Sequence, residues 1–539
     1  MIRRARRVLA AAIAAAVTLT ACSSGPAGVF AKSTGPASTA PGASTTPGGS
    51  DGPSATPAPT RAPADPTVGR VSFTDCTSVI KPQIDKQAGS ERDLHFGCGR
   101  LRVPLDYTDP SGQGIQLFLL RVRLGNQQNR IGSLLVNPGG PGGSGLDAAV
   151  GLGLQLPQDL LRRFDLVGFD PRGVGLSNPL ECVSDALKDK GIALDPDART
   201  AAQYAAQVAV AKASADGCSK RYGDALEHYN TEETARDMDL VRQAVGDPKM
   251  SYLGYSYGTR LGSVYAQLFP TRVRALVLDG AVDPVQGEVA SAETQARGFE
   301  NAFSQFAADC KRRGCRVGPD ARAFVTGLLA QARKAPIPSS RAGEKRRATA
   351  GHVLLAVISA LYDQNDWSDL ETALATAKAG DAAGLFKLTD RYSQRDADGS
   401  YSNIVDASLT INCTDSGETV PDATVHAKLA QWRTKYPLFG TSLALGLLGC
   451  QQWLGPRHPL PTVRAAGSPP ILVIGTTNDP ATPYASAGVL ARALASGVLL
   501  TWDGEGHTAY PKTPCVTKAV DAYLISLTVP KAGTSCPRT

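Results

Sequence analysis

No stretch of this chain has the roughly 20 consecutive apolar residues that a membrane-spanning helix needs. The apolar run nearest its start, Val8 to Ala21, has 14 residues. With Arg3, Arg4, Arg6 and Arg7 in front of it and small residues through it, that run reads as an export signal rather than a span. Removing those arginines lowers the formal charge from +7 to +3. No block of like charge is left, which argues against a nucleic-acid partner. No C-x-x-C pair and no His/Cys spacing of the metal-binding kind occurs, so no metal and no cofactor is expected. No repeat period appears. Histidine is scarce, six in 539 residues, and any base chemistry has to be found among those six.

What is present begins at the signal's end. Leu19-Thr20-Ala21-Cys22 matches the lipobox of bacterial lipoproteins, which implies cleavage before Cys22 and a lipid on its sulfur. An ordinary secretory signal with an incidental Cys22 is the alternative, and both place the mature protein outside the cytoplasm, lipid-anchored to a membrane or secreted. From Ser23 to Gly69 the chain is almost wholly Ser, Thr, Pro, Gly and Ala. Such a segment cannot bury enough apolar surface to offset ordering, so it is a tether, with a reach of roughly 40 Å as a flexible coil. Reserving Cys22 for lipid leaves ten of the 11 cysteines, an even number in an oxidising setting, which favours five disulfides. Pairing of sequence neighbours (76/98, 182/218, 310/315, 413/450, 515/536) would give short staples; the sequence does not fix the connectivity, and free thiols remain an alternative.

The rest alternates strand and helix signals. Ile115 to Leu124 and Ile131 to Gly140 read as strands, Phe164 to Ser177 as a short apolar strand ending in a turn-rich loop, and the run from Asn230 to Asp247 as a helix capped by Thr231, its acids forming a helix start and a solvated face. Met250 to Ser256 and Arg272 to Gly280 are further buried strands. The stretch 286–465 has helical patterns without clear buried parallel strands, and alternation resumes at Pro469 to Pro480 and Gly497 to His507. The expected organisation is a signal over 1–21, a tether over 22–70, a core over 71–285, a helical cap over 286–465 and a second core part over 466–539. The expected fold is α/β: a mostly parallel sheet flanked by helices, with an inserted helical cap.

Ser256 lies where a strand pattern turns into a helix pattern, in "GYSYG", between Gly254 and Gly258. With 55 glycines in 539 residues, G-x-S-x-G arises by chance about once in two or three such chains, so the context has to decide. A strand-to-helix corner this sharp strains the serine backbone and leaves no room for side chains two positions to either side, which explains both glycines and presents a nucleophile at a helix start. A serine hydroxyl needs a base. Only His507, in "DGEGHTAY", follows a strand near the chain end as the order Ser, acid, His requires. Asp479, in "GTTNDPATP", supplies the acid in preference to Asp503 and Glu505, which share the histidine's own loop. The turn "NPGGPGGSG", Asn137 to Gly145, comes directly after a strand and would stabilise an oxyanion through Gly140 N–H together with Tyr257 N–H.

In order, "VPLDY", "NPGGPGGSG", "DPRGVGLS", "YLGYSYGTRLGSVYAQLFP", "NDPATP" and "GEGHTAY" resemble the secreted tripeptidyl aminopeptidases of actinobacteria, within the proline iminopeptidase family of α/β-hydrolases. The resemblance runs from about residue 95 to the end of the chain. It departs from the usual H-G-G-P-G pattern by placing Pro138 at the histidine position. It implies a serine exopeptidase that cleaves peptides from their free N-terminus, with the cap over the site. Recognition of an ammonium group favours an anion in the cap, and "INCTDSGE" resembles a cap motif of this group that offers Asp415 and Glu418. A monomer acting on peptide substrates is expected. A serine esterase or lipase would use the same three residues, and a non-catalytic cell-surface binding protein of this fold would be expected to have lost one of them.

Overall fold

A computed structural model of the chain describes residues 66–88 and 92–538. The signal, Cys22 and nearly all of the tether lie outside the described residues. Ten strands form one sheet: β1 (Thr74–Asp75), β2 (Leu94–Pro104), β3 (Gly114–Leu124), β4 (Gly132–Asn137), β5 (Phe164–Phe169), β6 (Met250–Tyr255), β7 (Val273–Asp279), β8 (Ile471–Asn478), β9 (Gly497–Glu505) and β10 (Ser535–Cys536). Their order is β1-β2-β3-β5-β4-β6-β7-β8-β9-β10. From β5 to β10 every pairing is parallel, and β1, β2 and β3 join antiparallel at one side. The mostly parallel α/β sheet expected from the alternating pattern is what forms.

Central strands of a parallel sheet are covered on both faces and read as continuous apolar runs. In β6 all six residues are buried. Tyr252 faces one core layer with Leu135, Val167 and Leu276, while the next residue, Leu253, faces the other with Leu134, Leu166 and Val277. Helices Thr231–Val245 and Tyr257–Leu268 cover the first layer, Gly145–Gln155 and Pro514–Ser526 the second.

Between β7 and β8 the chain runs through nine α-helices, from Glu288–Arg313 to Leu448–Gln451. Among the described residues this stretch holds no strand longer than an isolated bridge. It has a core of its own, built on Phe303, Phe306, Leu354, Leu374 and Phe386. Helix Ala201–Tyr222, which precedes β6, packs on it: Tyr204 stacks against His426 with ring centroids 4.2 Å apart, and Tyr204 Oη donates to Asp422. The ten cysteines pair as sequence neighbours, Cys76–Cys98, Cys182–Cys218, Cys310–Cys315, Cys413–Cys450 and Cys515–Cys536. Among the described residues no helix is long and apolar enough to cross a membrane.

Two expectations for helix Thr231–Val245 need correction. Its cap is Asn230, one residue earlier than expected, whose side chain accepts the Glu233 N–H at 2.8 Å. Thr231 instead turns inward. Nor are its acids a solvated face: Asp237 is wholly buried and takes two hydrogen bonds from the equally buried Arg172 of "DPRG", at 2.7 and 2.8 Å, and Glu233 pairs with the same guanidinium. A buried cation needs such partners.

Candidate active site

The corner after β6 is as tight as the two glycines imply. Ser256 has φ 55° and ψ −121°, a strained conformation for a residue with a side chain. A methyl on Gly254 would come within 2.4 Å of the Gly258 carbonyl, and one on Gly258 within 2.9 Å of the Asn137 carbonyl. The strained turn is held from below, where the Ser256 N–H donates to the Asp279 carbonyl at the end of β7, 2.9 Å away. Tyr257 opens the following helix, so its N–H is one of those with no acceptor inside the helix.

The loop after β4 lies directly against this corner. A methyl on Gly139 would meet Ser256 Cβ at 2.9 Å and the Tyr257 nitrogen at 3.1 Å. Gly139 donates its own N–H to Asn137 Oδ1, and its carbonyl accepts the Gly143 N–H, which curls the loop around Gly140. The sequence reading named Gly140 and Tyr257 as donors; the structure brings their two segments into contact.

Asp479 follows the end of β8, where the pairing with β9 shifts register between Thr476 and Asn478, the kind of irregularity that re-aims a side chain. Both of its carboxylate oxygens lie 2.9 Å from His507 Nδ1. The N–H groups of Ala481 and Thr482 donate to Oδ1 and the Thr482 hydroxyl to Oδ2. With the more distant Thr508 N–H at 3.5 Å from Oδ2, these donors fix the orientation of the buried carboxylate. The other acids near His507 are engaged elsewhere: exposed Asp503 accepts from Thr477 Oγ1, while Glu505 pairs with Arg538 and is pushed up to about 6 by burial.

His507 is wholly buried. A methyl on Gly280, the residue after Asp279, would come within 3.0 Å of His507 Cε1. The histidine therefore lies over the peptide adjoining the one that holds Ser256. From the insert, the Tyr362 carbonyl accepts the His507 N–H at 2.8 Å, and the two rings meet edge to face with centroids 5.3 Å apart.

Sequence reasoning missed two residues here. Thr482 lies 3.3 Å from His507 Nδ1; its position three residues after Asp479, ready to close a side-chain turn, was the signal. Asp279 accepts the N–H groups of Ala509 and Tyr510, and burial raises its carboxyl to about 6. Nothing local marks it, because those partners lie 230 residues away.

The two acids expected to receive an ammonium group are placed differently from each other. Asp415 is buried at the end of helix Ile404–Asp415 and accepts both the N–H and the hydroxyl of Thr231. The Thr231 hydroxyl also contacts Tyr257 Oη at 2.5 Å, so Asp415 stands one residue behind the helix start next to Ser256. Burial raises its carboxyl to about 6. Glu418 is exposed and accepts the N–H of Glu288.

Residues 436–536 match a family model described as TAP-like protein. The serine protease Hip1 of Mycobacterium tuberculosis is 38% identical over 492 residues, 88% of this chain and 92% of that protein. Carboxylesterase B of the same species is 36% identical over 450 residues, 81% of this chain and 86% of the relative. Tripeptidyl aminopeptidase of Streptomyces lividans is 32% identical over 440 residues, covering 80% and 81%. With a sheet order and a strand-to-helix serine corner of the same kind as its sequence motifs imply, the chain belongs to the TAP-like family of α/β-hydrolases.

Proposed function

We propose that the protein is a serine exopeptidase that hydrolyses peptides from their free N-terminus. Ser256 attacks the scissile carbonyl while His507 takes its proton and later passes it to the leaving amine. Asp479 holds the imidazole and stabilises its protonated form, and the N–H groups of Gly140 and Tyr257 receive the oxyanion. An acyl-enzyme on Ser256 is then released by water. The observation that carries this reading is the pairing of His507 Nδ1 with Asp479 at 2.9 Å beside the peptide that fixes Ser256. Relatives named a serine protease and a tripeptidyl aminopeptidase support peptides as substrates.

The helices of 286–465 act as the cap that limits the site to chain ends, and Asp415 receives the substrate ammonium, with exposed Glu418 at its rim. Asp415 suits that task because a buried carboxylate draws a cation strongly and keeps lone pairs beyond those Thr231 uses. The export signal, the Cys22 lipobox and the five disulfides support an extracytoplasmic, membrane-anchored enzyme. The relative named a carboxylesterase favours an esterase as the second reading. Turnover of free-amine peptides by the wild type, abolished in a folded Ser256→Ala, tests the main one; activity that survives this change removes Ser256 from its role.

A further inference from the structure

The edge of the sheet opposite Ser256 carries a cleft that this chemistry does not use. It encloses about 290 Å³ and is lined by Phe73, Arg121, Arg123, Arg130, Ser133 and Asp165. Ser133 and Asp165 are the second residues of β4 and β5, whereas Ser256 follows the last residue of β6, which runs parallel to both. The cleft and the nucleophile are therefore separated by the length of a strand, close to 20 Å for six residues at about 3.3 Å each.

Register explains how three arginines come together. Arg121 and Arg123 alternate onto one face of β3, where Arg121 pairs across to Val167 of β5. Asp165, two residues before Val167, lies level with Arg123 and pairs in turn with Ser133 of β4. Arg130 reaches the same place from the loop ahead of β4. Asp165 is buried and bridges Arg123 and Arg130, at 3.3 and 3.0 Å. Asp247 lies 4.0 Å from Arg130 and accepts the Ser133 N–H. Arg121 has no carboxylate at ion-pair distance among the described residues. Its guanidinium lies 4.5 Å over the Phe73 ring, and its buried Nε–H meets no acceptor among the described residues. Burial, with Arg123 and Arg130 nearby, holds its pKa below the usual value against the pull of Asp165. A fourth guanidinium, Arg70, borders the cleft by donating to the Val245 carbonyl.

An unmet guanidinium donor inside a pocket with an excess of positive charge calls for an anion with several acceptor oxygens. We propose that this cleft binds a phosphate-type oxyanion through Arg121, Arg123 and Arg130. The chain reaches the domain along the same cleft, since Val71 N–H donates to the Ala244 carbonyl and Phe73 forms one wall. A domain held to a membrane by its tether, as proposed above, meets lipid headgroups on this face; free phosphate is the other source of the same chemistry.

The test measures melting temperature in inorganic phosphate against chloride of equal ionic strength. Phosphate raises it in the wild type. Arg121→Gln weakens phosphate binding about tenfold or more, the loss expected of a charge-assisted pair. Asp165→Asn, which removes the competing carboxylate and keeps the shape, enlarges the phosphate shift. If Arg121→Gln fails to fold by circular dichroism, the exposed Arg123→Gln takes its place with the same expected loss. A second arm uses the Cys22→Ala protein, which can carry no acyl chain there, and vesicles of phosphatidylcholine with about one part in four of phosphatidylglycerol. Vesicle binding lost in Arg121→Gln assigns the headgroup; a phosphate shift without vesicle binding assigns free phosphate. Equal phosphate shifts in wild type, Arg121→Gln and Asp165→Asn, or no shift above chloride in the wild type, overturn the proposal.

Discussion

The carbonyl of Tyr362, one residue past helix Ala350–Leu361, accepts the amide of His507 at 2.8 Å while its ring packs edge to face on the imidazole. The insert thus holds the proposed base directly. Tyr362→Ala keeps the backbone bond and loses the ring contact, worth about 0.5–1.5 kcal/mol. The expected outcome is a fall in kcat of about two- to tenfold for peptides and small esters alike, because both use His507. Tyr362→Phe keeps the ring and stays near wild type. A loss confined to peptides would assign Tyr362 to substrate binding instead.

His507→Ala lowers kcat about as severely as Ser256→Ala, on the order of 10⁶-fold, since residues that act as one unit fail as one unit. Asp479→Asn leaves more activity, with a loss on the order of 10⁴-fold, because it disturbs tautomer and orientation but leaves a base in place. Circular dichroism and melting temperature check that each variant folds. Comparable losses for Asp479→Asn and Asp503→Asn would displace Asp479.

The nucleophile corner was legible because its constraint is local: Gly254 and Gly258 each face an atom contributed within the turn or by the adjoining strand. The order Ser256, Asp479, His507 followed from strands that can be read one at a time. Asp279 was not legible, since its carboxylate acts on amides 230 residues further along. Helix Ala201–Tyr222 is hard to read from sequence although Thr200 and Gln203 form a capping box at its start, because its many alanines give no sharp apolar stripe. Burial of Glu233 and Asp237 is not legible in their helix because their partner, Arg172, comes from a loop about 60 residues earlier. Sequence pattern reports which residues share a helix face, not what the rest of the chain places against it.

Asp415 gives a prediction with a pH sign. Its carboxyl is raised by burial to about 6, so its charged form, the one that attracts an ammonium group, is populated as pH rises through about 6. The ratio of kcat/KM for a free-amine peptide to that for a small amine-free ester should rise through the same range. Taking the ratio cancels any pH dependence that the proposed triad imposes on both substrates alike. Asp415→Asn flattens that ratio and lowers peptide kcat/KM about ten- to a hundredfold, with the ester near wild type. Equal losses on both substrates would make Asp415 a support for Thr231 and Tyr257 only.

Asp147, in the first turn of the helix after the glycine-rich loop, has a buried Oδ1 that meets no hydrogen-bond partner among the described residues. Burial, then the charges of Asp170 and Asp396, raise its carboxyl from the ordinary 3.8 to about 7. A raised folded-state pKa means the protonated group favours the fold, and that advantage is lost as pH climbs from about 4 towards 7. Asp147→Asn, neutral at every pH, should therefore raise the melting temperature by about 1–3 °C at pH 8 and leave it unchanged at pH 4. Thermal denaturation at the two pH values decides it; a variant less stable than wild type at pH 8 would show that the charge is compensated.

The central claim is hydrolysis from a free N-terminus, and product mass tests it most directly. The purified protein is incubated with matched peptides that differ only in N-acetylation, and the fragments are identified by mass spectrometry over time. Short fragments released in sequence from the free amino end, with the acetylated partners left largely intact and no products from folded Ser256→Ala, are the predicted result. Efficient cleavage of the acetylated peptides, or internal fragments from both, would contradict it.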